Sequence, residues 1–215
     1  MNLGQTFIFD LDGTLIDSKN QIINCVNATR SDLGYKNRNP NELFSRIGLP
    51  VESLFDDLHL EEEVLKQVIS RFRQELKIAI KSGNPVFPGV TNFLTLVRDQ
   101  GIKIGIATSK PHDLAKIVVA NSPISGMVDY VQGIEGFPGK PNPEVILRVM
   151  KNLEAHDYLM FGDRIEDIEA ANFAKIKSIG ISQGFHTQSE LINAGAKKVF
   201  SSFILIDSPN SLMLL

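Results

Sequence analysis

Two aspartates, Asp10 and Asp12, stand one residue apart directly after an apolar run near the start of the chain. The run at residues 6–9 is β-branched and aromatic, and Gly13 follows the acids, which predicts a buried strand that ends at Asp10. In a parallel sheet, that end of a strand faces the ligand crevice. Burying two like charges there is costly unless a cation lies between them or they take part in catalysis. The segment is therefore a candidate active site.

Two other interpretations of this segment are a calcium-binding loop and a simple turn. A calcium-binding loop also starts with two acids in this spacing, but it needs glycine at its sixth position and an acid at its twelfth. Here Gly13 is the fourth residue and Gln21 is the twelfth, so the calcium loop is excluded. The alternative of a simple turn explains the glycine and one aspartate, because both residue types end strands. It leaves the second aspartate unexplained.

The composition of the 215 residues is typical of a globular protein, with 43% hydrophobic and 22% charged residues. The net charge of −3 favours neither nucleic acid nor an anionic membrane as a partner. Cys25 is the single cysteine, which excludes an internal disulfide and is typical of a reducing compartment. No apolar stretch has membrane-spanning length, and no secretory leader is recognisable. We expect a cytoplasmic enzyme, whose oligomeric state the sequence does not indicate.

From Gly101 onward, strand-like and helix-like segments alternate. Strands are predicted at 102–107, 128–132, 158–161, 178–182 and 197–200, and helices at 113–121, 143–152 and 166–174. Such alternation predicts a parallel sheet with helices on both faces, which the first strand must join. The expected fold class is α/β, with a three-layer, Rossmann-like core.

A helical block interrupts this pattern after the first strand. Apolar residues recur at helical spacing within 17–34 and 61–80, and Pro40 and Pro50 begin shorter helical pieces between them. We therefore expect a catalytic core made of residues 1–16 and 85–215, with a helical cap inserted at 17–84.

Three further polar segments follow predicted strands, and the first is Thr108-Ser109. Ser109 precedes a predicted helix, and Pro111 suits the first turn of that helix, so one interpretation is an N-cap. The other is a phosphate site, since a hydroxyl beside free helix N–H groups binds anions. The two interpretations are compatible.

The second segment carries Lys140 between Gly139 and two prolines, Pro141 and Pro143. The prolines restrict the loop, so Lys140 would be held in one direction. The alternative is an ordinary exposed lysine, as most lysines are.

The third segment holds Asp163, Glu166 and Asp167. Asp163 and Glu166 fit a capping box, which would explain both of them without chemistry. Asp167 remains unexplained. Acids at this strand end, beside Asp10 and Asp12, would form a cage of hard oxygen ligands for Mg²⁺.

Taken in chain order, the four segments resemble the motifs of the haloacid dehalogenase superfamily, and more narrowly its phosphoglycolate phosphatase-like branch. The resemblance spans nearly the whole chain and rests on Asp10-x-Asp12-Gly13-Thr14, Thr108-Ser109, Lys140-Pro141 and Gly162-Asp163-x-x-x-Asp167. A helical insert after the first motif also matches that branch.

The resemblance implies a role for each motif. Asp10 would attack phosphorus and form an aspartyl-phosphate, while Asp12 would protonate the leaving oxygen and then activate water. Lys140 would offset negative charge at the nucleophile and the phosphoryl group. Substrate contacts would come from Gly13, Thr14, Thr108 and Ser109. Mg²⁺ would be bound by Asp10, the Asp12 carbonyl and Asp163, and Asp167 would either bind the ion as well or orient its water.

These roles predict a Mg²⁺-dependent phosphatase acting on a small phosphorylated metabolite, with phosphoglycolate as one candidate. Arg46, in the loop 45–50 of the insert, could pair with a substrate carboxylate. Two alternatives use the same residues: a phosphosugar mutase, and a non-catalytic binding protein on this fold. Asp12 argues against a dehalogenase, because the dehalogenases of the superfamily lack that second aspartate.

The chain departs from the family at one position. The family often has glycine after the helix of the last motif, whereas this chain reads Ala174-Lys175-Ile176. If that residue adopts a left-handed conformation, lysine costs on the order of 1 kcal/mol there.

Overall fold

The computed structural model describes residues 4–47 and 49–213, and its centre is a sheet of six parallel strands. The strands in chain order are β1 (Gln5–Phe9), β2 (Lys103–Pro111), β3 (Tyr130–Ile134), β4 (Asp157–Gly162), β5 (Lys177–Ile181) and β6 (Lys198–Phe200). Their order across the sheet is β3-β2-β1-β4-β5-β6, so β1 lies between β2 and β4. The predicted α/β class is confirmed.

Both faces of the sheet are covered by helices, as parallel strands require. The helices of this part are α4 (Val90–Asp99), α5 (His112–Ala120), α6 (Glu144–Leu153), α7 (Ile165–Phe173), α8 (Gln188–Asn193) and α9 (Pro209–Met213). Successive side chains of β1 point to opposite faces. Phe7 and Phe9 pack in the cluster that includes α4 and α5, whereas Ile8 packs with α6 and α7.

Packed phenylalanine rings hold the central strand in place. The Phe9 and Phe161 rings, on neighbouring strands, are 4.7 Å apart between centroids, and Phe93 of α4 and Phe203 lie 5.3 Å apart beside them. All four side chains are buried. Aromatic pairs at this spacing add about 0.5–1.5 kcal/mol each beyond the burial of their area. The carboxyl end of β1, where Asp10 follows, is therefore rigidly supported.

Between β1 and α4 the chain is helical, as predicted. This insert contains α1 (Lys19–Asp32), α2 (Pro40–Phe44), a 3₁₀ helix (Val51–Leu58) and α3 (Glu62–Lys81). Phe55 and Phe72 form its apolar centre, with ring centroids 5.8 Å apart. The buried guanidinium of Arg30 donates two hydrogen bonds to Asp57, at 3.0 and 2.8 Å, and these bonds join α1 to the 3₁₀ helix. Within the described part of the chain, none of the helices combines the length and apolar composition needed to span a bilayer.

Lys175 follows α7 and has a φ of 59°, so it lies in the left-handed region. We expect Lys175→Gly to raise the free energy of unfolding by about 0.5–1 kcal/mol, because glycine has no Cβ atom to disfavour the left-handed conformation. The larger conformational entropy of glycine in the unfolded chain offsets part of this gain. Denaturant unfolding measures the change. The matched control is Lys116→Gly in the interior of α5. This variant should have a free energy of unfolding about 1 kcal/mol lower than that of the wild type. A destabilised Lys175→Gly variant would contradict the argument.

Candidate active site

The carboxyl ends of the central strands meet around one cavity of about 590 Å³. Asp10 follows β1, Thr108 lies near the end of β2, and Lys140 reaches in from the loop between β3 and α6. Asp167, in the first turn of α7 after β4, lies on the same side. This is the edge at which open parallel sheets bind their ligands.

Asp10 is buried at the base of the cavity, with 5% of its surface exposed. The ammonium of Lys140 lies 2.5 Å from Asp10 Oδ1. Burial raises the pKa of Asp10 to about 6; Lys140 opposes the rise, and the charges of Asp167 and Asp12 add to it. One carboxylate oxygen is thus held by a cation, and the other is left for chemistry.

Lys140 is a fixed cation. Its ammonium contacts Asp10, Asp167 and, at 3.0 Å, the carbonyl oxygen of Ala107, which uses all three of its N–H donors. Burial alone would lower the pKa of Lys140, but the facing carboxylates of Asp10 and Asp167 outweigh it and raise the pKa above its usual value. The side chain therefore stays charged in the site.

Asp163 is enclosed behind Asp10 and is fully buried. Its Oδ1 accepts a hydrogen bond from the Thr14 hydroxyl at 2.8 Å, and its Oδ2 accepts one from the Phe185 amide at 3.0 Å. A Cβ atom at Gly13 or Gly184 would overlap this carboxylate, so glycine at both positions makes room for it. Burial, together with the charges of Asp167 and Asp10, raises the pKa of Asp163 well above its usual range.

The alternative interpretation of Asp163 and Glu166 as a capping box is wrong. α7 begins at Ile165, and it is Asp167 Oδ2 that accepts the Arg164 amide hydrogen bond, at 3.0 Å. Asp163 lies outside the helix, where its oxygens take the partners described above. Asp167 therefore has two roles, closing the first turn of α7 and pairing with Lys140.

Three of these carboxylates are placed to share a cation. Asp10, Asp163 and Asp167 each offer an oxygen, and the three oxygens lie within 4.8 Å of one another. They are buried, and the single positive charge of Lys140 does not balance three carboxylates. Hard oxygen ligands of this kind suit Mg²⁺. The donor set fits the metal predicted from the sequence.

Comparison with known proteins identifies the family of this fold and site. The family model described as haloacid dehalogenase-like hydrolase matches residues 7–181. The chain belongs to this family. The match runs from the first strand, which precedes Asp10, through the segment that contains Asp163 and Asp167.

Curated relatives place the chain among the phosphatases of the haloacid dehalogenase-like hydrolases. A protein of Dickeya dadantii named "Probable phosphatase IndB" is 31% identical, over 91% of this chain and 89% of its own length. A phosphoglycolate phosphatase of Aquifex aeolicus is 29% identical, over 81% of this chain and 83% of its own length. The solved structure of a haloacid dehalogenase-like hydrolase of Streptococcus pneumoniae has the same fold, with a TM-score of 0.82 at 23% identity, covering 94% of this chain and 95% of that one.

Thr108 and Ser109 both line the cavity of this phosphatase. Of the two interpretations of Ser109, the helix N-cap is wrong, because α5 begins only at His112 and β2 continues through Pro111. The Ser109 hydroxyl instead accepts a hydrogen bond from the Lys140 amide at 3.1 Å, and so fixes the lysine loop. Its role in binding substrate stays a prediction.

Gly13 and Thr14, which were expected to contact substrate, lie behind the site. The Gly13 amide donates to the Ile16 carbonyl oxygen at 3.0 Å, and the fully buried Thr14 hydroxyl donates to Asp163. Neither residue lines the cavity. The amides of Leu11 and Asp12 have no acceptor among residues 4–47 and 49–213, so both are free to bind an anion.

Arg46 lies in the cavity wall, as its predicted role in binding a carboxylate requires. Its guanidinium is already 3.1 Å from Asp56 Oδ2, while its Nε is buried without a hydrogen-bond partner in the described residues. A role in substrate binding stays a prediction. Gly48, in the same loop, lies outside the described residues.

Two parts of the site were not predicted from the sequence. Lys110 lies 2.7 Å from Asp12 Oδ2, and the loop containing Gly184 and Phe185 closes over Asp163. Lys110 follows Ser109 at the same strand end, which was a usable signal. The loop carries no such signal, since its role depends only on where β5 places it.

Proposed function

We propose that this protein is a Mg²⁺-dependent phosphatase that hydrolyses small phosphomonoesters through an aspartyl-phosphate on Asp10. One observation carries the proposal: a buried carboxylate, bound through one oxygen by Lys140, lies at the base of a cavity and borders two further acids. Covalent catalysis, a metal and a fixed cation together suit this reaction, which is among the slowest uncatalysed ones.

In the first step, the free oxygen of Asp10 attacks phosphorus and the bond to the leaving alcohol breaks. Asp12 gives its proton to that leaving oxygen. In the second step, water attacks the phosphorus of the aspartyl-phosphate while Asp12 takes a proton from it, which releases phosphate and restores Asp10. Asp12 is protonated before the first step and again after the second, so the protons balance over the whole reaction.

The remaining residues hold the phosphoryl group. Lys140 offsets its charge, and the Thr108 hydroxyl and the amides of Leu11 and Asp12 bind its oxygens. When bound by Asp10, Asp163, Asp167 and the Asp12 carbonyl, Mg²⁺ supplies positive charge that lowers the repulsion between nucleophile and phosphate. Thr14 acts by orienting Asp163.

The insert at 17–84 acts as a cap that excludes water from this chemistry. Leu54, Phe72 and Leu76 from the insert contribute apolar side chains to the wall of the cavity. The cavity is large enough for leaving groups well beyond the two-carbon acid of phosphoglycolate, since its volume falls in the range of about 300–1,000 Å³ seen for small-molecule sites. Phosphoglycolate remains one candidate substrate because the relative from Aquifex aeolicus is named a phosphoglycolate phosphatase.

The test is release of inorganic phosphate from p-nitrophenyl phosphate and a panel of metabolite monoesters, including phosphoglycolate. We expect turnover that falls at least about 100-fold in EDTA, since the metal supplies several kcal/mol of charge stabilisation, and that returns when Mg²⁺ is added. Product analysis on hexose phosphates separates hydrolysis from isomerisation. Turnover that is insensitive to EDTA, or an isomer formed with little free phosphate, would contradict the proposal.

A further inference from the structure

Lys110 is the one cavity lysine, within residues 4–47 and 49–213, that the proposed mechanism does not use. It lies at the end of β2, two residues after Thr108, and its side chain is 8% exposed. A lysine is rarely this buried unless it is paired. Its ammonium lies 2.7 Å from Asp12 Oδ2, across a separation of 98 residues in the chain. This contact is the only ion pair that the structure gives to either residue in the described part of the chain.

The two oxygens of Asp12 have different surroundings. Oδ2 accepts the hydrogen bond from Lys110, whereas Oδ1 is buried and has no hydrogen-bond partner among the described residues. A buried carboxylate oxygen without a partner is costly and is found where function requires it. Asp12 and Lys110 both line the cavity next to Asp10. We therefore assign proton transfer to the free oxygen of Asp12, Oδ1.

A carboxylate on a short side chain still rotates about its terminal bond unless it is held. General acid–base catalysis requires the proton-carrying oxygen to lie within hydrogen-bond distance of the reacting oxygen. A single charged donor on one oxygen stops that rotation and directs the other. The buried Lys110 stem is itself restricted by the strand end, so the donor is preorganised.

We propose that Lys110 is a positioning residue for Asp12: it holds one carboxylate oxygen so that the other meets the leaving oxygen and then the attacking water. The inference rests on the proposed function, since it assigns Lys110 to the acid–base step of that reaction. Lys110 transfers no proton in this scheme. The proton moves between Asp12 and the leaving oxygen, and later between water and Asp12.

The experiment compares phenyl phosphate with p-nitrophenyl phosphate. The two esters are similar in size, but the phenolate of the second leaves far more readily and needs less protonation. The parameter kcat/KM reports the first chemical step, in which Asp12 acts as acid. For Lys110→Met we expect a loss of about 100-fold on phenyl phosphate, within the range of acid–base contributions, and less than about 10-fold on p-nitrophenyl phosphate.

A double-mutant cycle with Asp12→Asn then asks whether Lys110 acts through Asp12. Adding Lys110→Met to Asp12→Asn should change kcat/KM by less than about twofold, and Lys110→Arg should recover part of the selective loss. The matched control is Lys116→Met, an exposed lysine on α5, which should equal the wild type on both esters. The inhibition constant of inorganic phosphate should be unchanged in Lys110→Met.

The outcomes distinguish a failure of the role proposed for Lys110 from a failure of the proposed phosphatase function. An equal loss on both esters, additive losses in the cycle, or weaker inhibition by phosphate would overturn the role of Lys110, because each indicates direct substrate binding or a purely structural role. If Lys110→Met does not fold, as judged by circular dichroism, Lys110→Arg and Lys110→Gln decide the same comparison. A wild type that hydrolyses neither ester nor any member of the metabolite panel would instead overturn the proposed function itself.

Discussion

Asp10→Asn should abolish phosphate release from every ester that the wild-type protein hydrolyses, by about 10⁴-fold or more. The amide cannot attack phosphorus, and neither Asp163 nor Asp167 is free to replace it. Asp163 is enclosed by hydrogen bonds from Thr14 and Phe185, and Asp167 is held by Lys140 and the Arg164 amide. Initial rates of phosphate release, with Mg²⁺ present, measure the loss.

The design of the variant separates lost chemistry from lost structure. Asparagine has nearly the size of aspartate, and it removes one negative charge from a cluster of three acids, so the fold should survive. Asp113→Asn, at an exposed aspartate in the first turn of α5, is the matched control and should retain full activity. Circular dichroism checks that both variants are folded. Residual turnover above about one per cent in a folded Asp10→Asn protein would exclude Asp10 as the nucleophile.

Lys140→Met should impair both catalysis and stability. We expect kcat to fall by about 100- to 1,000-fold, as it does when one preorganised charge is removed from an active site. Without metal, the free energy of unfolding should fall by about 3 kcal/mol, because the carboxylates of Asp10 and Asp167 lose the cation that compensates them while they remain buried. Enzyme kinetics and denaturant unfolding in EDTA measure the two effects.

Mg²⁺ gives this prediction a second readout. A divalent cation binds the folded protein and neutralises the same carboxylates, so it should stabilise Lys140→Met more than the wild type. Lys116→Met, which removes a charge from an exposed site, should change neither activity nor stability by a measurable amount. If Lys140→Met were as stable as the wild type in EDTA, the buried ion pairs of Lys140 would not stabilise the fold. The inference that Lys140 compensates the charges of Asp10 and Asp167 would then be wrong.

Most of the fold could be predicted from local patterns. Every predicted strand appears within two residues of its expected start, since short β-branched runs between glycines and polar residues have few other solutions. The helix α4 (Val90–Asp99) was missed, because its apolar residues follow a glycine- and proline-rich turn that obscured their period. The short helix α8 (Gln188–Asn193) was missed as well, although Thr187 and Glu190 form a capping box there.

The partners of the site residues were predicted less well than their positions. For Ser109 the sequence left a helix N-cap and a phosphate contact open; the structure excludes the cap, and the hydroxyl accepts a hydrogen bond from the Lys140 amide. Thr14 was expected to contact substrate and instead holds Asp163. Both side chains have the right chemistry for either role, so only the course of the backbone around them decides which acceptor or donor lies within reach.

Local sequence patterns were enough to predict the family, the parallel sheet and the set of acids and lysine at its edge. Periodicity specifies the elements, and in a parallel sheet the carboxyl ends of all strands lie on one side. Which charges meet depends on the folded chain: Lys140 lies between Asp10 and Asp167, and Lys110 pairs with Asp12. Lys140 and Asp10 are 130 positions apart in the chain, and Lys110 and Asp12 are 98 apart. Because a hydrogen bond depends on a few tenths of an ångström between donor and acceptor, no local sequence pattern encodes these contacts.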